Sequence, residues 1–336
     1  MNILYSLNNR YVPVAGVSIV SLLENNKDVQ EIHIFLIDCG MTDESKKILS
    51  DLVGNYNRMI KFIPLDDLVN DGDLNAPNKS YYGRFFGTQI TEEDRLLYLD
   101  CDLLINGSLE ELYQTEMHDA WIAGVQGPGA SYECRQRIGF PEEKQYLNTG
   151  MLLMNLKAWR AEKVTEKLVD FLNLHGEIPP YHDQNIINAV CYDHMLVLEP
   201  KYNLLWSMMC CKPKHICRLN KIKKYYTDAQ IQEAVKAPVI IHFSNSIYGR
   251  PWYRNCKHPY KELFIKYRNL SPWEGEPLPE SGLSFFRRFR NAVYRNVPSY
   301  IYYLLHVIEK KVLKSILPKL PIKNLKQWVA HYMNGE

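Results

Sequence analysis

The chain of 336 residues contains 46% hydrophobic and 23% charged residues, a composition typical of a globular protein that argues against intrinsic disorder. Its net charge of +2 is uneven, because residues 283–336 carry ten Lys or Arg against two acidic residues, a local +8 that leaves −6 for the rest. A basic tail on a slightly acidic body indicates an anionic partner surface, either phospholipid or nucleic acid.

The first 65 residues alternate between predicted strands and helices. The strands are predicted at Asn2–Leu7, Glu31–Asp38 and Met59–Leu65, and the helices at Val12–Leu23 and, after the cap Thr42, Asp43–Val53. This βαβαβ order predicts a doubly wound parallel sheet, in which ligands bind beyond the carboxyl ends of the strands. Because no GxGxxG or GxxxxGK[ST] follows the first strand, an ordinary dinucleotide or P-loop site is disfavoured.

Further elements follow less regularly. We predict helices at Ser80–Ile90, Lys157–Leu174 and Asp183–Val190 and strands at Ala120–Val125, Gln145–Leu156 and Val239–Phe243. Residues 271–282, rich in Pro, Glu, Gly and Ser, are predicted to link a catalytic domain of residues 1–270 to a basic, aromatic, helical tail of residues 283–336.

Two carboxylates end a buried strand in the stretch Arg95–Ile105. An apolar run stops at Asp100 and Asp102, whose side chains point to the same side while Cys101 points away. Two like charges at the end of a core strand repel each other unless a cation lies between them, and a hard divalent ion such as Mg²⁺ or Mn²⁺ takes oxygen ligands. The alternative is that these aspartates only cap the next turn.

The cysteines and the termini indicate the compartment. The eight cysteines show no disulfide framework, the first residues do not resemble a signal peptide, and the apolar stretch Val297–Ile308 is too short to span a bilayer. We therefore expect a cytoplasmic protein, soluble or peripheral on the cytoplasmic face of the membrane. A cluster that could bind zinc consists of Cys210, Cys211, His215 and Cys217. Because it lacks a paired CxxC, we favour buried thiols without a metal.

Several motifs occur in a fixed order along the chain. They are Tyr82-Gly83-Arg84, the DxD of Asp100 and Asp102, Asn148-Thr149-Gly150 at the start of a long apolar strand, His182-Asp183-Gln184-Asn185, and His242-Phe243 followed by Arg250-Pro251-Trp252. Together they resemble glycosyltransferase family 8, the retaining nucleotide-sugar glucosyl- and galactosyltransferases that include the glycogenins. The resemblance covers about residues 1–260 and implies the GT-A fold, a Rossmann-like mixed α/β sheet flanked by helices.

The resemblance implies a metal site and its diphosphate contacts. Asp100 and Asp102 match the DxD that holds Mn²⁺ (or Mg²⁺) on the donor diphosphate, and His242 matches the third protein ligand. An imidazole beside two carboxylates favours Mn²⁺ over Mg²⁺. Arg250 stands where the family usually has the Lys of K-P-W, which contacts the diphosphate, and Arg84 matches a residue that contacts the donor near phosphate and sugar.

The resemblance also implies how the UDP-sugar donor is bound. Asn8, which replaces a frequent Asp, and Tyr11 occupy the turn that holds the uracil, while Asn148 and Gly150 match residues lining the donor-sugar pocket. Gln126 stands where members often carry an Asp that contacts sugar hydroxyls. This departure leaves the donor hexose open between glucose and galactose.

Asp183 and Gln184 match the pair next to the anomeric carbon. Asp183 is expected to orient sugar hydroxyls, and Gln184 lies where the nucleophile of a double displacement would be sought. Because an amide oxygen is a poor nucleophile, we favour front-side attack through an ion-pair-like transition state that Gln184 and the leaving phosphate stabilise. Residues 127–146 are expected to shape the acceptor side.

We therefore expect a metal-dependent retaining hexosyltransferase that moves glucose or galactose from a UDP-sugar to a saccharide or lipid-linked oligosaccharide in surface polysaccharide or lipopolysaccharide synthesis. Aromatic residues alternate with Arg and Lys in the tail, as in a helix at a membrane interface; a soluble helical cap or an oligomer contact is the alternative. The aromatic residues are Phe285, Phe286, Phe289, Tyr294, Tyr300, Tyr302 and Tyr303.

Other functions are compatible with parts of the sequence. A self-glucosylating, glycogenin-like protein would use one of the 23 tyrosines as acceptor, and intact mass after incubation with UDP-sugar would reveal it. A nucleotide-sugar-binding protein without catalysis is disfavoured by the intact DxD, Asp183-Gln184 and His242. Nucleic acid is not expected as a partner, since no recognisable binding module accompanies the basic charge.

Overall fold

The computed structural model describes residues 1–69, 74, 76, 78–128, 132–176, 182–244 and 246–316. In these residues a seven-stranded sheet forms the centre of the molecule and a three-stranded sheet lies beside it. The strands are β1 (Asn2–Leu7), β2 (His33–Asp38), β3 (Met59–Pro64), β4 (Arg95–Leu99), β5 (Leu103–Ile105), β6 (Ile122–Gln126), β7 (Leu147–Asn155), β8 (Met195–Leu198), β9 (Leu204–Leu205) and β10 (Ile240–His242).

Helices cover the sheets. The described ones are α1 (Val12–Glu24), α2 (Asp43–Gly54), α3 (Leu65–Leu68), α4 (Gly87–Ile90), α5 (Glu110–Tyr113), α6 (Tyr132–Arg137), α7 (Leu156–Glu162), α8 (Val164–His175), α9 (His182–Cys191), α10 (Trp206–Cys210), α11 (Pro213–Asn220), α12 (Asp228–Lys236), α13 (Lys261–Arg268), α14 (Phe285–Asn296) and α15 (Ser299–Ile316). No helix in the described part of the chain combines the length and apolarity needed to cross a bilayer.

The large sheet has the order β3-β2-β1-β4-β7-β6-β8 and is parallel except for β7, which runs antiparallel to both of its neighbours. The βαβαβ order of the first 65 residues is confirmed, since β1 pairs in parallel with β2, and β2 with β3. The order in which strands are added to the sheet reverses after β3, because β4 pairs with β1 on the side opposite β2. The reversal creates a crevice beyond the carboxyl ends of these strands, where such folds bind ligands. The amino end of the antiparallel β7 reaches the same edge.

Two predicted helices differ in the structure. Residues 79–86, predicted as the start of an α-helix, form a 3₁₀-helix that buries Tyr82 and Phe85 completely before α4 begins. Side chains three apart line up in a 3₁₀-helix, which suits this pair. The single helix predicted at Lys157–Leu174 is two helices, because Lys163 is left-handed (φ 52°) and ends α7.

The tail begins with the described helices α14 and α15, which pack on the catalytic domain. Tyr294 and Tyr302 are buried in a cluster with Cys211, Ile216 and Ile247. The preceding segment is also in contact with the domain, since Trp273 is buried in the core. Residues 317–336 of the predicted tail lie outside the described residues.

Candidate active site

Backbone pairing positions the two aspartates. Leu99, the last residue of β4, pairs with Met151 of β7, and the next peptide N–H, that of Asp100, donates to the Gly150 carbonyl over 2.7 Å. Asp100 and Asp102 then form a turn rather than a continuous strand, and the chain enters β5 in the small sheet. The carboxylates therefore lie where the two sheets meet.

The small sheet brings His242 to the aspartates. His242 of β10 pairs with Leu103 of β5, and the next N–H, of Phe243, donates to the Asp102 carbonyl over 2.9 Å. One ligand atom from each of Asp100, Asp102 and His242 lies within 4.8 Å of the others, with His242 Nε2 3.3 Å from Asp102 Oδ1. In the described residues this is the one such group of three or more His, Cys, Asp or Glu side chains.

A glycine makes room for these side chains. A Cβ on Gly150 would lie 2.4 Å from His242 Cε1 and 2.9 Å from Asp100 Oδ2, closer than atoms can approach. The site therefore needs Gly at this position for close approach. Two carboxylates and an imidazole are a donor set that suits Mn²⁺.

The charges within the site compensate one another. Burial lowers the pKa of His242, but the Asp102 carboxylate raises it more, so that the net shift is upward. Burial raises the pKa of Asp102, and His242 together with the Arg250 charge lowers it below its usual value. Asp102 is therefore ionised at neutral pH and ready to bind a cation.

Arg84 lies between two carboxylates in the crevice. Its Nη2 is 3.0 Å from Asp100 Oδ1 and its Nε is 2.9 Å from Asp183 Oδ2, while Nη1 donates to the Thr149 carbonyl over 2.8 Å. The guanidinium carbon lies 3.9 Å from the centre of the Tyr98 ring, and the Tyr98 hydroxyl donates to Asp100 over 2.7 Å. Burial raises the pKa of Asp183 more than the Arg84 charge lowers it. Arg84 thus joins the DxD turn to the start of α9.

Gln184 has both ends of its amide engaged. Its Oε1 accepts from Asn148 Nδ2 over 3.1 Å and from the Thr149 N–H over 3.2 Å, and its Nε2 donates to the Tyr146 hydroxyl over 3.3 Å. The Gly150 N–H in turn donates to Asn148 Oδ1 over 3.1 Å. Because a carbonyl oxygen has two lone pairs, the Gln184 oxygen has its acceptor capacity filled.

Two residues of the site were missed from the sequence. Tyr98 belongs to the apolar run of β4, which gives no sign that its hydroxyl binds Asp100. Asn203, which precedes β9 and is completely buried, accepts from His242 Nδ1 over 3.0 Å and donates to Asn148 Oδ1 over 2.8 Å. A single Asn beside an apolar run carries no sequence signal for such a role, because both partners are distant in the chain.

Three further predicted donor-binding residues follow β1 or β10 in the chain. Asn8 follows β1 and accepts from the Arg10 N–H over 3.1 Å, and Tyr11 is half-buried against the core. Arg250 has its guanidinium 5.4 Å from the Trp252 ring, and its buried Nε has no hydrogen-bond partner among the described residues. The structure therefore places Asn8 and Tyr11 at the carboxyl end of β1. Arg250 lies near enough to Asp102 for its charge to lower the pKa of that carboxyl.

Gln126 forms hydrogen bonds with neighbouring segments of the chain. Its side chain is buried, with Oε1 accepting from Gln145 Nε2 over 2.7 Å and Nε2 donating to the Lys224 carbonyl over 2.7 Å. In the neighbouring α6, Arg135 is also buried and donates to the carbonyl of Lys221 over 3.1 Å. These side chains join the segment after β6 to the loop after α11.

The cysteine-rich cluster has other contacts. Cys210 and Cys211 have their Sγ atoms 3.6 Å apart, and His215 Nδ1 lies 2.6 Å from the Ser299 hydroxyl of α15. Burial and the neighbouring Lys214 lower the pKa of His215. His215 of α11 thus links this helix to α15 of the tail.

Comparison with known proteins identifies the family. The profile described as Glycosyl transferase family 8 matches residues 2–256. General stress protein A of Bacillus subtilis (strain 168) is 27% identical over 280 residues, which cover 81% of this chain and 94% of that protein. A lipopolysaccharide 1,2-glucosyltransferase of Escherichia coli is 27% identical over 295 residues, covering 82% of this chain and 80% of that protein.

Solved structures support the fold. The crystal structure of the galactosyltransferase LgtC in complex with donor and acceptor sugar analogues superposes with a TM-score of 0.64 at 21% identity, covering 81% of this chain and 96% of that chain. This likeness, together with the mixed sheet, confirms the predicted GT-A fold. The chain therefore belongs to glycosyl transferase family 8 and is a hexosyltransferase.

Proposed function

We propose that this enzyme is a metal-dependent retaining transferase that moves glucose or galactose from a UDP-sugar to a saccharide acceptor in surface polysaccharide or lipopolysaccharide synthesis. The observation that carries the proposal is the convergence of Asp100, Asp102 and His242 within 4.8 Å beside the Arg84–Asp183 pair. The glucosyltransferase relative from Escherichia coli supports the choice of acceptor class.

The cluster is suited to a nucleotide diphosphate. Mn²⁺ or Mg²⁺ held by Asp100, Asp102 and His242 would neutralise the negative charge that develops on the leaving UDP. Arg250 adds a fixed positive charge near Asp102, and its unpartnered Nε is available to a phosphate oxygen. Asn8 and Tyr11, at the carboxyl end of β1, are proposed to hold the uracil.

In the proposed transfer the bond between the anomeric carbon and the β-phosphate oxygen breaks, and its electron pair leaves with UDP. The acceptor hydroxyl attacks the same face, and its proton passes to the leaving phosphate oxygen. Gln184 does not serve as the nucleophile in this scheme, because its oxygen already accepts two hydrogen bonds. Asn148 and Thr149 instead fix that amide next to the sugar, and Asp183 orients the sugar hydroxyls.

Donor hydrolysis without acceptor tests the metal site. With Mn²⁺ present, we expect release of UDP from UDP-glucose or UDP-galactose in preference to the N-acetylated donors, and loss of release in EDTA. Asp102→Asn should reduce the rate roughly 100-fold or more, as expected for a group that stabilises transition-state charge. Asp94→Asn is the matched control, because Asp94 precedes the opposite end of β4 and its side chain is 66% exposed. EDTA-resistant turnover would contradict the proposal.

Gln184 provides a separate test of the transfer step. In Gln184→Ala the Asn148 amide and the Thr149 N–H both lose their acceptor, so we expect kcat to fall at least about 10-fold. Transfer at a near-normal rate would rule out the proposed role of Gln184. NMR of the product should show that the anomeric configuration of the donor is retained.

We further propose that α14 and α15 dock on an anionic membrane surface. Phe285, Phe286 and Phe289 are 78%, 66% and 60% exposed on α14, in a helix that also carries Arg287 and Arg288. On α15 the apolar residues Tyr300, Ile301, Leu304 and Ile308 are exposed as well. Large exposed apolar side chains beside basic ones are typical of helices that lie in a membrane interface.

Vesicle flotation tests the docking. The full chain should float with vesicles containing phosphatidylglycerol and bind much less to vesicles of phosphatidylcholine alone. The triple variant Phe285→Ser, Phe286→Ser and Phe289→Ser should lose flotation and keep donor hydrolysis. If the protein instead forms oligomers that this variant disrupts, the surface is an oligomer contact and the membrane proposal is wrong.

A further inference from the structure

A chain of four side chains joins the proposed metal site to the sugar pocket. His242 Nδ1 lies 3.0 Å from Asn203 Oδ1, Asn203 Nδ2 donates to Asn148 Oδ1 over 2.8 Å, and Asn148 Nδ2 donates to Gln184 Oε1 over 3.1 Å. Asn203 lies between His242 and Asn148 and is completely buried. It also lies outside every motif that indicated the site in the sequence.

The orientation of the Asn203 amide follows from its two partners. Because Nδ2 donates to Asn148, Oδ1 faces His242 and acts as the acceptor for Nδ1–H. His242 is thereby held with a proton on Nδ1 and with Nε2 facing Asp102 Oδ1, 3.3 Å away. Groups that fix the tautomer and ring orientation of a ligating histidine commonly change metal affinity 10- to 100-fold.

The fold explains why Asn203 can reach both partners. It directly precedes β9, whose Leu205 pairs in parallel with His242 of β10, so the Asn lies beside the histidine ring. Asn148 is at the amino end of the antiparallel β7, which reaches the same edge of the large sheet. Asn203 therefore spans the junction between the two sheets.

We propose that Asn203 is a positioning residue. It fixes the tautomer and orientation of His242 for metal binding, and it holds Asn148 and Gln184 in a fixed position relative to His242. The inference rests on the proposed metal site. It goes beyond that site in assigning a role to a residue that does not itself bind metal or substrate.

The test compares two substitutions that separate the effects of the two Asn203 hydrogen bonds. Asn203→Leu removes both, whereas Asn203→Asp keeps the acceptor for His242 and loses the donor to Asn148. Mn²⁺ affinity in the presence of UDP, measured by electron paramagnetic resonance on the full chain, should fall 10- to 100-fold in Asn203→Leu. It should stay at or above the wild-type value in Asn203→Asp, while the KM for the UDP-sugar rises because Asn148 is released.

Asn26→Ala is the matched structural control. Asn26 is a buried asparagine that joins α1 to Leu109 by hydrogen bonds and lies outside the described network of the site. We expect this variant to lose stability without a change in Mn²⁺ affinity. If Asn203→Leu and Asn203→Asp both weaken Mn²⁺ binding to the same extent, Asn203 is only structural and the inference is wrong.

Nitrogen-15 NMR of the metal-free protein provides a second readout. The His242 ring should be protonated on Nδ1 in the wild type and in Asn203→Asp, and should lose this preference in Asn203→Leu or Asn203→Ser. An unchanged tautomer in the Leu and Ser variants would overturn the inference. Failure of the wild type to bind Mn²⁺ would instead overturn the proposed function, so the two failures are distinguishable.

Discussion

At the scale of single residues, the site is held together by charge compensation. Arg84 forms ion pairs with both Asp100 and Asp183, and His242 lies against Asp102, so that three buried or half-buried carboxylates are tolerated close together. Burial lowers the pKa of Arg84, but its carboxylate neighbours, Asp183 foremost, raise it to a higher net value. Arg84 is therefore permanently charged, and we infer that a bound donor adds its phosphates to an arginine already in place.

Gly150 is a residue of the site at which a single added methyl group should be disruptive. In Gly150→Ala the new Cβ would overlap His242 and Asp100, so we expect Mn²⁺ affinity and donor hydrolysis to fall at least about 10-fold. Titration with Mn²⁺ followed by electron paramagnetic resonance measures the change. Gly107→Ala is the control, because its Cβ would be 3.6 Å from Val239, an ordinary contact. Equal affinity in the two variants would contradict the close packing of the site.

At the scale of elements, the direction of one strand determines what meets the DxD turn. β7 is antiparallel, so its first residues, Asn148 to Gly150, lie at the edge where β4 ends. In the small sheet, β10 pairs with β5 and brings His242 beside Asp102. The loop after β10 then folds back onto this strand, and the ring of His258 packs against Phe243 at 4.8 Å.

His258 should make the enzyme sensitive to acid. Its Nδ1 accepts from the Tyr260 N–H over 3.2 Å, and burial lowers its pKa from 6.5 to about 4. As the pH falls, the unfolded state binds a proton at His258 before the folded state does. The contribution of neutral His258 to the free energy of unfolding is therefore fully present above pH 6.5 and decreases as the pH drops towards 4. The expected loss is about 3 kcal/mol at 1.36 kcal/mol per pKa unit.

Urea unfolding at several pH values measures this loss. His258→Asn keeps an acceptor for the Tyr260 N–H and cannot titrate, so its stability should change less between pH 6.5 and 4 than that of the wild type. His118→Asn, at a histidine whose side chain is 76% exposed, should leave the pH dependence unchanged. The same acid sensitivity in His258→Asn would show that other groups cause it.

At the scale of the whole molecule, the segment predicted as a linker makes several contacts with the catalytic domain. A Cβ on Gly16 of α1 would be 2.1 Å from the Trp273 ring, which shows how closely the indole covers this helix. The Pro279 carbonyl accepts from the Arg254 N–H over 2.9 Å, and the Glu276 carbonyl accepts from Arg268 over 2.8 Å. We therefore expect the folding unit to extend through residue 282 rather than to end at 270.

Trp273→Ala in the full chain tests this boundary. Removing a buried indole should lower the free energy of unfolding by about 3–5 kcal/mol. Phe286→Ala removes an aromatic ring that is 66% exposed, so its effect should stay within about 0.5 kcal/mol. If both variants are equally stable in urea, residues 271–282 act only as a linker.

The sequence by itself determined the alternation of strands and helices in the first 65 residues, the DxD at the end of β4 and the family, because these depend on local periodicity and short motifs. The sequence did not predict the break at Lys163 or the 3₁₀-helix before α4. In the 3₁₀-helix, the burial of Tyr82 and Phe85 outweighs local propensity. Only the tertiary structure decided that Asn203 joins His242 to Asn148. These residues are 39 and 55 positions from it in the chain. They meet because β9 pairs with β10 in the small sheet and because the amino end of β7 lies where the two sheets meet.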